Sequence, residues 1–217
     1  MKYIFLIIGT ISIVALILSI VIITKKSQEQ FNIKIQKHYF GNVPKIIHQT
    51  WETWESVPLC CKDVINKNIN DNKTWKYVFY DSESRVEEVR RFSTKAYEAY
   101  NKLEIPAMKA DLFRLCVLYN IGGIYLDIKT RAKNIDKILS ESNGRLIYFI
   151  WPYEKGDKDH AKHAATSILI WPPKHPVLKT IITTCIERIE KIDKYKYYTV
   201  VNTTGPNMYA SEIERLV

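Results

Sequence analysis

The chain has 217 residues, with 32 Lys and Arg against 23 Asp and Glu and a formal charge of +9. That length suits one core-forming domain beside a terminal segment, and the basic excess suits an anionic ligand or lipid headgroups. No zinc-finger spacing, RNA-binding signature or concentrated basic stripe accompanies the charge, so nucleic acid is not the expected partner.

From Tyr3 to Ile23 no residue is charged. A helix of this stretch reaches roughly 31 Å, close to the ~30 Å hydrocarbon core of a bilayer. The run is longer than the ~7–15 apolar residues of a signal peptide, and Lys25-Lys26-Ser27-Gln28 is a poor cleavage site. A single-pass anchor in an endomembrane, or in a viral or host membrane, is therefore expected. Lys2 precedes the span, while Lys25, Lys26, Lys34 and Lys37 follow it. The positive-inside rule then favours a cytoplasmic C-terminal side, the reverse of a Golgi-type anchor, and orientation stays open. Residues 1–26 read as anchor and flank, 27–42 as a polar stem and 43–217 as the folded domain.

The domain opens with Val43-Pro44-Lys45-Ile46-Ile47-His48-Gln49-Thr50-Trp51, where Pro44 favours an extended entry to a strand. Pro58-Leu59-Cys60-Cys61 and an Asn-rich polar stretch to Lys73 follow. Trp75–Tyr80 is aromatic and branched, a second strand. Asp81-Ser82-Glu83 then starts a helix carrying Val86, Val89, Phe92 and Ala96. Pro106 starts a further helix, apolar on nearly every side, that Gly122-Gly123 ends. Ile124–Lys129 reads as a strand, as do Arg145–Trp151 and Thr166–Trp171. His175–Ile192 repeats Val177, Ile181, Cys185 and Ile189 at helical intervals, and Tyr195–Val201 reads as a last strand. Alternation of strands and helices predicts an α/β layer fold with a mostly parallel sheet. Cys116 and Cys185 fall in apolar helical patterns as buried free thiols, and adjacent Cys60 and Cys61 are poorly placed for a mutual disulfide.

Asp111 and Arg114 are three residues apart, so they share one face of an otherwise apolar helix. Charges there are expensive unless partnered. Either the two pair only with each other, or they point into a cleft and bind a polar ligand. Asp127 favours the cleft, because it lies toward the carboxyl end of a strand, where open α/β sheets bind ligands.

These residues resemble a known family. Ala110-Asp111-x-x-Arg114 on a helix, then Gly122-Gly123-x-Tyr125-x-Asp127 on a strand, is similar to the core of the Asp-x-Asp-motif glycosyltransferases. That family includes yeast initiating mannosyltransferases and animal α-galactosyltransferases, and more distantly the glucosylating domains of clostridial toxins. The opening strand, Tyr80-Asp81, Pro173-x-His175-Pro176 and Thr204-Gly205-Pro206 stand in the family's order, so the resemblance spans about residues 43–207. It implies an A-type glycosyltransferase fold, Rossmann-like with helices flanking the sheet. It also implies a nucleotide-sugar donor (UDP- or GDP-sugar), a glycan, lipid or protein acceptor, Mn²⁺ or Mg²⁺, and retention at the anomeric carbon. On the same grounds Asp111, Arg114 and Asp127 are the catalytic candidates, with Asp111 and Arg114 on sugar hydroxyls and Asp127 on ribose or metal. Gln49, Thr50 and Trp51 would line the nucleotide pocket. Gly122, Gly123, Tyr125 and Lys129 complete the substrate-binding set.

One departure stands out, because Lys129 replaces the second aspartate of the motif. In an extended strand it would share a side with Asp127. An ammonium offers no ligand to a hard cation. Asp127 would bind metal with help from elsewhere, or Lys129 would neutralise the diphosphate itself, or the chain would bind donor without turnover. The family also continues with a segment that can supply a metal-binding His. His160, His163 and His175 lie upstream of that point and read as inert. The rival to an enzyme is a membrane-anchored, non-catalytic sugar-nucleotide or glycan-binding protein. Asn72-Lys73-Thr74 and Asn202-Thr203-Thr204 match the N-glycosylation pattern, which matters only if the domain is luminal.

Overall fold

The computed structural model describes residues 32–39, 41–143, 145–150, 164–193 and 197–216. The expected anchor, Tyr3–Ile23, and the histidines His160 and His163 lie outside the described residues. No helix among the described residues is long and apolar enough to cross a membrane.

Among the described residues six strands form two sheets. β1 (Asn32–Tyr39), within the stretch expected as a stem, pairs antiparallel with β5 (Arg145–Ile150). The main sheet has the order β3-β2-β4-β6, with β2 Ile46–Thr50, β3 Lys76–Tyr80, β4 Gly123–Leu126 and β6 Ile168–Trp171. β2 runs parallel to both β3 and β4, and β6 is antiparallel to β4. The sheet is thus mostly parallel, as expected, with one reversed edge strand. Residue 125 faces one side, where Tyr125 packs with Phe113 and Trp171, while Ile124 and Leu126 face the other with Ile47 and Ile168. This is the period-2 alternation of a strand covered on both faces.

Helices α1 (Leu59–Asp71), α2 (Ser82–Phe92), α3 (Thr94–Lys102) and α4 (Pro106–Asn120) link the parallel strands. α5 (Ile135–Ser142), α6 (Pro176–Glu190), α7 (Tyr197–Thr203) and α8 (Pro206–Leu216) complete the set among the described residues. α4 fills the centre of the larger core, with Leu112, Phe113, Leu115, Cys116, Val117 and Leu118 all within 2% of complete burial. Each such large side chain contributes about 1.5–3 kcal/mol of burial energy, which outweighs the weak amphipathicity of the helix. Ala96, Ala99 and Tyr100 of α3, Ile181, Ile182 and Cys185 of α6 and Tyr209 of α8 pack around it. On the opposite face Ile135 of α5 and Phe149 of β5 cover the sheet, and α1 closes a third cluster through Cys61 and Ile65.

Three local readings change, and one unassigned stretch gains a structure. The Asn-rich stretch after Pro58 is helix α1, because Cys61, Ile65 and Asn68 recur at helical spacing and are buried together. The helix expected from Asp81 through Ala96 breaks at Ser93, whose φ of −171° is extended. Ser93 ends α2 and caps α3 by accepting from the Ala96 amide at 3.1 Å. The strand expected over Tyr195–Val201 is instead α7 from Tyr197 on, its first two residues lying outside the described residues. Its end is closed locally, with the amides of Thr204 and Gly205 both reaching the Val200 carbonyl at 3.2 and 3.0 Å. Finally, β4 stops at Leu126, and 127–130 is a turn in which the Thr130 amide donates to the Asp127 carbonyl at 2.8 Å. Lys129 therefore does not share a strand face with Asp127. All four cysteines are free, and Cys61, Cys116 and Cys185 are buried.

Candidate active site

The carboxyl ends of β2, β3 and β4 point the same way, and beyond them opens a cleft of about 1320 Å³. Thr50, Trp51, Arg114, Tyr125, Asp127 and Lys129 are among its lining residues. This is the position at which parallel sheets bind ligands, since chain crossovers leave room there.

Arg114 organises the site. Its Nη2 lies 3.0 Å from Oδ1 of Asp111 and 3.2 Å from Oδ1 of Asp127, and its Nη1 donates to the Thr166 carbonyl at 2.6 Å. The guanidinium carbon sits 4.7 Å from the centre of the Tyr125 ring. Tyr125 donates its hydroxyl to Oδ1 of Asp127 at 3.0 Å. Burial alone lowers the Arg114 pKa, but Asp127, Tyr125 and Asp111 together raise it above its ordinary value, so the group stays charged. Burial pushes the Asp111 carboxyl up, and Arg114 and the hydroxyl of Thr204 pull it back. Thr204 supplies the missing partner, donating to Oδ2 of Asp111 at 2.8 Å. A buried pair of this kind is tolerated because every charge is matched, and removing one partner typically costs ~3–5 kcal/mol.

The three expected residues thus converge, but not equally. The side chain of Asp127 is 40% exposed, while those of Asp111 and Arg114 are 9% and 7% exposed. Asp111 does not line the cleft; it stands behind Arg114. Gln49 is fully buried and also stands behind, its Nε2 donating to the Asp127 carbonyl at 3.1 Å. Thr50 and Trp51 reach the cleft, Thr50 while donating to the Tyr80 carbonyl at 2.7 Å and Trp51 while its indole donates to the Ser56 carbonyl at 3.2 Å.

Gly122 and Gly123, expected in the substrate-binding set, sit at the amino end of β4, away from the cleft. Their φ values are 74° and 111°. A Cβ on Gly122 would stand 2.6 Å from Cδ of Pro173, and one on Gly123 would stand 2.5 Å from the Ile46 carbonyl oxygen. What they supply in this structure is close packing of the helix end onto β2. His48 fastens this turn. Its Nε2 donates to the Gly122 carbonyl at 2.8 Å and its Nδ1 accepts from the Tyr80 hydroxyl at 3.0 Å. A carbonyl only accepts, which settles the tautomer.

Sequence reasoning missed several cleft residues. Arg85 of α2 is buried and pairs with Glu52 at 2.6 Å, and both line the cleft. Their separation in sequence carries no local signal. The loop 127–134 is tied to α1 by asparagines. Asn68 donates to the Thr130 carbonyl at 2.9 Å and accepts from the Ala132 amide at 3.0 Å. Asn72 donates to the Ala132 carbonyl at 3.0 Å, so this residue of the first glycosylation pattern is a buried structural group.

The residues fit a divalent metal poorly. Asp127 is the carboxylate where the motif expects one, and its Oδ1 already meets Arg114 and Tyr125. The second position holds an ammonium. Among the described residues no group of three or more His, Cys, Asp or Glu could hold a metal ion.

Comparison with known proteins decides the family likeness. Residues 58–144 match the glycosyltransferase sugar-binding region containing the DXD motif. The match bears out the resemblance seen in the residues, and it takes in Asp111, Arg114, Tyr125, Asp127 and Lys129. The chain is 24% identical to inositol phosphoceramide mannosyltransferase 3 of Schizosaccharomyces pombe over 83% of its own length and 48% of that protein. It is 28% identical to an uncharacterized glycosyltransferase of Acanthamoeba polyphaga mimivirus over 79% of its length and 64% of the other. The chain spans about half the length of the curated relatives it matches. Among solved structures it resembles the PaToxG glycosyltransferase, with a TM-score of 0.53, 15% identity and coverage of 86% of this chain and 72% of that one. That likeness speaks to the fold.

Proposed function

We propose that the chain is a membrane-anchored hexosyltransferase that takes a UDP- or GDP-activated sugar and passes it to a glycan, lipid or protein acceptor. One observation carries the reading: Arg114, Tyr125 and Asp127 meet on the wall of an open cleft at the carboxyl ends of parallel strands. The family match and the glycosyltransferase names of the relatives support it. The uncharged run Tyr3–Ile23 supports the anchor.

Transfer breaks the bond between the anomeric carbon and the diphosphate oxygen, and the departing diphosphate keeps the electron pair. A new bond forms from that carbon to the acceptor hydroxyl oxygen, whose proton is lost to solvent or to the leaving phosphate. Positive charge grows on the sugar and negative charge on the phosphate, so a site needs carboxylate beside one and cations beside the other. Asp127 is the exposed carboxylate, held in one orientation by Arg114 and Tyr125. Asp111 acts through Arg114 as a positioning residue, with Thr204 behind it. Thr50 and Trp51 offer a hydroxyl and an indole face to the nucleotide. Retention at the anomeric carbon is the stereochemistry the family resemblance implies. No step is routed through Mn²⁺ or Mg²⁺, because the donor set described above does not suit them.

The test is donor hydrolysis and sugar transfer by the full chain with a panel of UDP- and GDP-sugars. Asp127→Asn should lose about 10²–10³ of the rate with an unchanged circular-dichroism spectrum. Wild-type turnover in that variant rejects the assignment, and donor binding without turnover in the unmodified chain under every condition selects the non-catalytic rival.

A further inference from the structure

Five cationic side chains line the cleft: Arg85, Arg114, Lys129, Arg131 and Lys133. Four have carboxylate partners. Glu52 takes Arg85 at 2.6 Å, and Asp111 and Asp127 take Arg114. Asp71 pairs with Arg131 and lies 4.0 Å from Lys133. Lys129 is exposed and has no carboxylate within 4 Å among the described residues.

The local fold aims it. Ile128 is 5% exposed and packs with Val57, Cys61 and Ile65, which anchors the middle of the turn to α1. Asp127 and Lys129, on either side of that anchor, are left on the cleft wall. The Asp127–Thr130 hydrogen bond, Asn68 of α1 and Asn72 at the end of that helix hold the turn in place. An unneutralised ammonium on a braced turn, two residues from the Asp127 carboxylate, is what a diphosphate would find there. The same charge repels a divalent cation and supplies it no lone pair.

We propose that Lys129 binds the donor diphosphate directly, so that nucleotide binding by this chain does not need a divalent metal ion. The inference rests on the donor-site reading above and goes beyond it in assigning the counter-charge to a side chain.

The probes are UDP and GDP, titrated calorimetrically into the full chain in detergent, first with EDTA and then with MnCl₂. Affinity for the nucleotide that binds should agree within about twofold between the two conditions. Lys129→Met should weaken that nucleotide at least about tenfold, the loss of one charge-assisted contact, and leave the affinity for the bare nucleoside unchanged. Lys129→Asp, which restores a carboxylate after Asp127, should bind only when Mn²⁺ is added. Wild-type binding that requires Mn²⁺ overturns the inference and spares the donor site. Undiminished binding by Lys129→Met in EDTA does the same. If the folded wild-type chain binds neither nucleotide in either condition, the donor-site reading falls and this inference with it.

Discussion

At the residue scale, the site is a chain of contacts leading outward from a buried hydroxyl. Thr204 holds Asp111, Asp111 holds Arg114, and Arg114 with Tyr125 orients the exposed Asp127. The i,i+3 spacing of Asp111 and Arg114 was enough to show that the two charges share a helix face. It could not show that a residue 93 positions away completes the pair. Thr204→Val keeps the shape and removes the donor, leaving Oδ2 of Asp111 unsatisfied in the core. That variant should lose about 1–3 kcal/mol of stability, read as a lower urea midpoint at pH 7. An unshifted midpoint would mean that the hydroxyl does not hold the carboxylate.

At the element scale, the decisive junction is the one between α4 and β4. Pro106 starts the helix, and Gly122-Gly123 ends it where no side chain fits between the turn and β2. Both signals are local, which is why this helix and strand were legible. The role of the glycines was not, because only the placement of β2 and Pro173 shows what a Cβ would strike. Gly123→Ala forces a methyl against the Ile46 carbonyl at a positive φ. It should cost about 2–4 kcal/mol, seen as a fall in melting temperature. An alanine variant that melts with wild type would show that the junction can relax. Helix α1 makes the opposite point: Asn68 within it and Asn72 just past its end resemble loop residues in sequence, yet they are buried braces for the 127–134 loop.

At the scale of the whole molecule, His48 couples folding to pH. It is fully buried between β3 and the glycine turn, and burial, opposed by the Gly122 carbonyl and aided by Lys76, lowers its pKa to about 4 from 6.5. Above pH 6.5 the ring is neutral in both folded and unfolded chains, and its contribution is constant. As pH falls from 6.5 toward 4 the unfolded chain takes up a proton that the folded chain refuses. Stability should therefore fall over that window, by up to about 3 kcal/mol from this group. Urea titrations at pH 7 and pH 5 measure the slope, and His48→Gln should flatten it; an unchanged slope in that variant would assign the effect to other groups.

The sequence by itself determined the α/β alternation, the buried α4, the strand that follows it and the family likeness carried by Asp111, Arg114, Tyr125 and Asp127. Those features depend on periodicity, on proline and glycine at helix ends and on short spacings, all of which act within a few residues. Only the tertiary structure decided that Asp111 and Gln49 stand behind the cleft, that Arg85 and Glu52 line it, and that residues 197–203 are a helix. It also decided that Lys129 sits in a turn, as the cleft cation without a carboxylate partner among the described residues. The physical reason is that burial and pairing of a charge depend on which distant segment folds against it, and no local pattern encodes that partner.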